Sequence, residues 1–162
     1  MSEDLDLDRF NALPVDEAAA RLLPCCGSRV WANRMAESRP FQSLADLHEK
    51  SDRIWWSLGG EDWREAFAAH PRIGEKGSRW SEQEQAGARG ADAETLAALV
   101  EANRVYESRF DHIFIVCATG KSATEMLCLL EARLGNDPEI EMRIATEEQR
   151  KITNLRLEKL FS

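Results

Sequence analysis

The sequence predicts an all-α fold: a single-domain helical bundle over residues 1–162, with one extended apolar segment near residues 113–118. Three observations predict it. Alanine, leucine, glutamate and arginine, all strong helix formers, dominate the chain. Capping residues recur ahead of apolar-periodic stretches. A single continuous apolar run, Ile113 to Ala118, has strand-forming character, and one such run cannot build a sheet by itself.

Taken in order, Asp16 to Leu23 predicts a short helix, stopped by Pro24 and Gly27. Ser28 caps a helix to about Glu37, which Pro40 ends. Ser43, with Asp46 three residues on, opens another to about Leu58, and Gly59-Gly60 breaks it. Glu61 to Ala69 follows, with Trp63, Ala66 and Phe67 on one face. His70 to Trp80, with Pro71, Gly74 and Gly77, reads as a loop. Asp92 caps a helix carrying Leu96, Leu99, Val100, Asn103 and Tyr106. Ser122 with Glu125 forms a capping box before Met126, Leu127, Leu130 and Leu134. Asp137-Pro138 is a strong start, because proline suits the first helical position. That last helix reaches Leu160, with Ile140, Ile144, Ile152, Leu155 and Leu160 as its apolar positions.

Composition narrows the function. Hydrophobic residues make up 43% and charged residues 31%, a balance that argues for a packed core and against disorder. A net charge of -8 argues against nucleic-acid partners. No apolar run approaches the roughly 20 residues needed to span a bilayer. The acidic start, Met1 to Asp8, lacks the basic and apolar regions of a signal peptide. Cys25, Cys26, Cys117 and Cys128 fit neither a disulfide framework nor a metal-ligand spacing. They read as reduced thiols in a cytoplasmic protein, with Cys117 and Cys128 as buried small hydrophobes.

Four segments carry candidate chemistry. Pro71 disfavours helical geometry at His70, so this imidazole leaves the helix axis where it is able to handle protons near neutral pH. The alternative is a histidine that merely suits a helix C-terminus. His48 reads as a solvated mid-helix residue and His112 as a boundary residue. Ser81 and Glu84 have capping-box spacing, a structural reading that coexists with anion binding at a helix start. Gly120-Lys121-Ser122 resembles the end of a phosphate loop, but that motif needs glycine where Ile115 stands. Arg156, in Leu155-Arg156-Leu157, is either a solvated cation near a helix end or a partly buried one seeking a planar acceptor.

Together these segments resemble a known family. His70-Pro71-Arg72-Ile73-Gly74, Trp80-Ser81, Glu84-Gln85, Asn103, Tyr106, Arg109-Phe110 and the run Phe114 to Ala123 look like the OHCU decarboxylases. So do Asn136-Asp137, Glu148-Gln149, Ile152 and Leu155-Arg156-Leu157. OHCU is 2-oxo-4-hydroxy-4-carboxy-5-ureidoimidazoline, an intermediate of urate breakdown. The resemblance implies cofactor-independent decarboxylation of OHCU to (S)-allantoin, with no metal and usually as a homodimer. It implies His70 and Glu84 as catalytic residues. It implies substrate contacts from Pro71, from Ser81, Glu84 and Gln85, from Phe114, Ile115, Val116, Cys117 and Ala118, and from Arg156. Asp111-His112 departs from the family pattern, which has glycine followed by an apolar or basic residue. Three other readings compete. They are a related ureido-imidazole acid as substrate, a hydrolase using Cys117 with His70, and a non-catalytic helical module presenting Trp31, Trp55, Trp56, Trp63 and Trp80.

Overall fold

A computed structural model describes residues 6–73, 79–88 and 90–161. The loop expected between His70 and Trp80 therefore lies partly outside the described residues, at 74–78. Among the described residues there are nine α-helices, one 3-10 turn and no strand. In order they are α1 (Leu7–Asn11), α2 (Val15–Leu22), α3 (Arg29–Glu37), α4 (Leu44–Ser57), α5 (Gly60–Ala68), α6 (Arg79–Glu84), the turn Ala86–Ala88, α7 (Ala93–Phe110), α8 (Ala123–Arg133) and α9 (Pro138–Leu160). The all-α expectation is met. Residues 113–118 form the extended apolar segment, without regular secondary structure.

The caps explain the boundaries. Ser28, Ser43 and Asp92 accept from the backbone N–H groups of Trp31, Asp46 and Thr95. Each satisfies a donor that the first helical turn leaves unpaired. Ser122 and Glu125 complete a reciprocal capping box at α8. Asp46 differs, because its carboxylate accepts from the Gln42 N–H. At the end of α7 the chain turns through Asp111, whose φ of 61° lies in the left-handed region. Glycine enters that region freely, and aspartate is among the few other residues that tolerate it. The departure from the family pattern at position 111 thus keeps the turn.

The chain divides into two compact units. The first comprises residues 1–66 and 150–162. It buries Phe10, Leu22, Trp31, Met35, Leu47, Trp55 and Leu157. Phe10 stacks near Phe41 at 6.2 Å and meets Phe161 edge-on at 5.2 Å. His48 is half-buried, with Nδ1 2.7 Å from Asn154 Oδ1, not solvated as expected. Of the five tryptophans of the proposed module, Trp31 and Trp55 are core residues, Trp56 is exposed, and Trp63 and Trp80 are half-buried.

The second unit comprises residues 67–149. Its core joins Leu99, Ala102, Tyr106 and Phe110 of α7 to Ala123, Met126 and Leu130 of α8, with Phe114, Val116 and Ala118 between them in sequence. Cys128 is exposed, contrary to expectation, because the 3.6-residue period turns Met126 and Leu130 inward and leaves Cys128 outside.

Candidate functional site

Phe114, Val116 and Ala118 belong to the core of the second unit, while Ile115 and Cys117 are buried outside that cluster. Side chains alternate along an extended chain, so the segment faces the α7–α8 core on one side and offers Ile115 and Cys117 on the other. A lone extended segment has no neighbouring strand to satisfy its backbone, and a buried unpaired peptide group is costly. Charged side chains take that role. Arg133 donates to the Ile115 carbonyl at 2.8 Å, and Lys121 to the Cys117 carbonyl at 2.7 Å. The Cys117 N–H donates to Glu148 Oε1 at 3.0 Å. This amide is therefore committed within the protein.

Arg133 is itself held. Its Nε lies 2.9 and 3.1 Å from the two carboxylate oxygens of Glu141, which is fully buried. Tyr106 donates its hydroxyl to the same carboxylate, and Asn136 Nδ2 donates at 3.1 Å. Burial and the adjacent carboxylate push the Tyr106 hydroxyl far above its ordinary range. The Arg133 guanidinium also lies 4.5 Å from the Phe114 ring centroid.

His70 follows the end of α5, with its backbone N–H on the Phe67 carbonyl at 3.1 Å. As expected, it leaves the helix before Pro71. The side chain is half-buried, and Nε2 lies 2.6 Å from Gln149 Oε1 on α9. Glu84 is buried at the end of α6, where it acts electrostatically on the Cys117 thiol together with Glu148 and Lys121. His70, Glu84, Cys117, Glu148 and Gln149 all fall in the second unit. Ser81 is buried inside α6, which begins at Arg79, so the expected cap at Ser81 is not its place in the helix. Pro71 and Gln85 are half-buried. Arg156 belongs to the first unit. It is buried, and Nη1 donates to the Pro24 carbonyl at 3.0 Å.

The turn after α6 reaches the chain just beyond the apolar segment, at Lys121, through a close backbone contact. A Cβ on Gly87 would stand 2.1 Å from the Lys121 carbonyl oxygen. Only glycine permits that approach. Gly87→Ala should displace this turn from the segment. We expect a loss of about 1–3 kcal/mol, the range for forced overpacking, together with reduced activity. A denaturant midpoint within error of the parent would contradict it.

Thiol chemistry fits poorly. Burial pushes the Cys26 thiol up to about 12 and also raises that of Cys117, so neither is poised as a thiolate. No group of three or more metal-ligating side chains occurs among the described residues. A cavity of about 520 Å³ in the second unit is lined by Arg72, Ile73, Leu96, Val100, Asn103, Arg104 and Glu107, without His70 or Glu84. Its Arg72 and Glu107 bond each other at 2.8–3.1 Å. Sequence reasoning assigned no role to Gln149, Glu148, Arg133 or Glu141. Their partners lie 5 to 79 residues away.

Known proteins share this arrangement of chain. The Arabidopsis thaliana uric acid degradation bifunctional protein TTL is 42% identical over 148 residues, 85% of this chain and 45% of that protein. The chain thus spans under half the length of that relative. The Haloferax volcanii 2-oxo-4-hydroxy-4-carboxy-5-ureidoimidazoline decarboxylase is 30% identical over 167 residues, covering 98% of each. A crystal structure of an OHCU decarboxylase in the presence of (S)-allantoin superimposes with a TM-score of 0.80 at 40% identity, over 86% of this chain and 95% of that one. A family model described as OHCU decarboxylase matches residues 11–158, and the chain belongs to the OHCU decarboxylase family.

Proposed function

We propose that this protein decarboxylates OHCU to (S)-allantoin in urate catabolism, using no cofactor. The observation that carries the reading is the grouping of His70, Glu84 and the 114–118 segment in one unit of a family member. The substrate supplies its own electron sink. One ring carbon bears the carboxylate and a hydroxyl, and the next bears the ureido group and forms an imine. When the bond to the carboxylate breaks, carbon dioxide leaves and the electron pair becomes the ring double bond of an enol. The imine nitrogen takes up a proton. The hydroxyl then loses its proton, and the ureido-bearing carbon gains one on a single face.

The protein has to orient the ring, place charge and move protons. His70 exchanges the proton with the hydroxyl or carboxylate. Glu84 holds the hydroxyl or ureido group and shares the relay. Pro71, Ser81 and Gln85 line the ring, and Phe114, Ile115, Val116, Cys117 and Ala118 present the extended segment to it. Arg156 keeps the role implied by Leu155-Arg156-Leu157, binding the anionic or carbonyl end. The whole chain, 1–162, acts as one family domain and works as a homodimer in the cytoplasm. The four free cysteines support that compartment. Among the described residues no helix is long and apolar enough to cross a membrane.

The test is circular dichroism of allantoin formed from freshly generated OHCU. Uncatalysed decay gives racemic product, so a growing single-handed signal reports the enzyme. A flat signal with folded protein would move the reading to a related ureido-imidazole acid.

A further inference from the structure

We propose that Gln149 is a positioning residue that holds His70 in the tautomer protonated on Nε2. The inference rests on the reading of His70 given above. Gln149 Oε1, a carbonyl oxygen that only accepts, faces the imidazole Nε2 at 2.6 Å, an arrangement that makes a hydrogen bond when Nε2 carries the hydrogen. Gln149 is fully buried on α9. A buried amide is retained where its hydrogen bonds are used, since burying it idle is costly. The contact joins residues 79 positions apart, at the chain turn that Pro71 forces on His70. Gln149 touches His70 and acts through it. By fixing the hydrogen on Nε2 it leaves Nδ1 as the acceptor nitrogen of the neutral ring.

The bond has a predictable electrostatic sign. Nε2–H donates to Oε1 in both protonation states, and more strongly when the ring is charged. Gln149 therefore favours the imidazolium, and its removal lowers the pH at which His70 titrates. Glu84, Glu148 and Lys121, the charged groups around Cys117 in this unit, are the same in every variant below.

The experiment uses the full chain. Long-range proton–nitrogen NMR of the imidazoles, with the His70 signals identified by their loss in His70→Asn, reads the tautomer directly in the resting protein. The Nε2–H form is expected, and the Nδ1–H form overturns the proposal. In Gln149→Leu the histidine limb of the pH–rate profile should fall by about one unit, and in Gln149→Glu it should rise by about one. For Gln149→Leu, kcat should drop about 10-fold or more with KM little changed, as expected when a catalytic ring loses its orienting partner. Unmoved limbs in both folded variants overturn the proposal. A His70 that shows the Nε2–H form in a protein leaving OHCU at its uncatalysed rate supports the placement and overturns the reaction instead.

Discussion

Glu141→Leu is expected to cost about 3–5 kcal/mol, the range for removing one partner of a buried ion pair. Glu141 is fully buried and its carboxylate collects Arg133, Tyr106 and Asn136. Leucine fills similar space and accepts nothing. Arg133, only 8% exposed, would keep its charge without a counterion, and Tyr106 would lose its acceptor. A chain of this size should melt roughly 10 °C lower. The damage also has a direction. Arg133 Nη1 holds the Ile115 carbonyl, so a displaced guanidinium loosens the apolar segment. Pairing Glu141→Leu with Arg133→Met removes the orphaned charge and should recover part of the stability. It should not recover the grip on Ile115, so turnover should stay low while the melting temperature rises. A single variant losing under about 1 kcal/mol would show that the cluster is not what secures this segment.

Local chemistry made the helices legible. Ser28, Ser43, Asp92 and Ser122 each cap where the sequence places them, because a cap is a contract between residues three apart. The same locality misled at Ser81, since a spacing of three fits the inside of a helix as well as its start. Helix α1 escaped notice. Five residues with one buried side chain, Phe10, are too few to show a period, although Asp6 caps them. In α9 the apolar positions gave only part of the buried stripe: Ile152 is buried, and Ile144, Leu155 and Leu160 are half-buried. Ile140 is 55% exposed, whereas Glu141, Ala145, Gln149, Ile152 and Arg156 are buried. Apolar periodicity assumes that helices bury apolar residues, and this stripe buries a carboxylate, an amide and a guanidinium. Their reasons lie outside the helix, in Arg133, His70 and Pro24. His70 was visible because Pro71 follows it. Gln149, 79 residues on, carried no local signal.

His70→Asn should lower kcat by about 10²-fold or more, the scale of general acid–base catalysis. The substitution keeps a polar side chain of smaller size at a half-buried site. It also leaves the backbone bond to Phe67 in place, so the fold should survive. What it removes is the imidazole, the side chain best suited to exchanging protons. Glu84→Gln is the companion. It retains shape and a hydrogen-bonding end in a buried position but loses the capacity to take a proton. If Glu84 shares the relay, its kcat falls by about 10-fold or more. If it only holds the substrate, KM rises and kcat stands. The handedness of the residual product separates the steps. Loss of carbon dioxide sets the rate at which enol appears, and proton delivery sets the face on which it closes. A slow variant that still yields (S)-allantoin would have lost only the first function. A slow variant yielding racemate would have lost control of the second, as expected for His70→Asn if the imidazole delivers that proton. Near-normal kcat in His70→Asn, with optically active product, would remove this histidine from the mechanism and leave Glu84 to carry the proton alone.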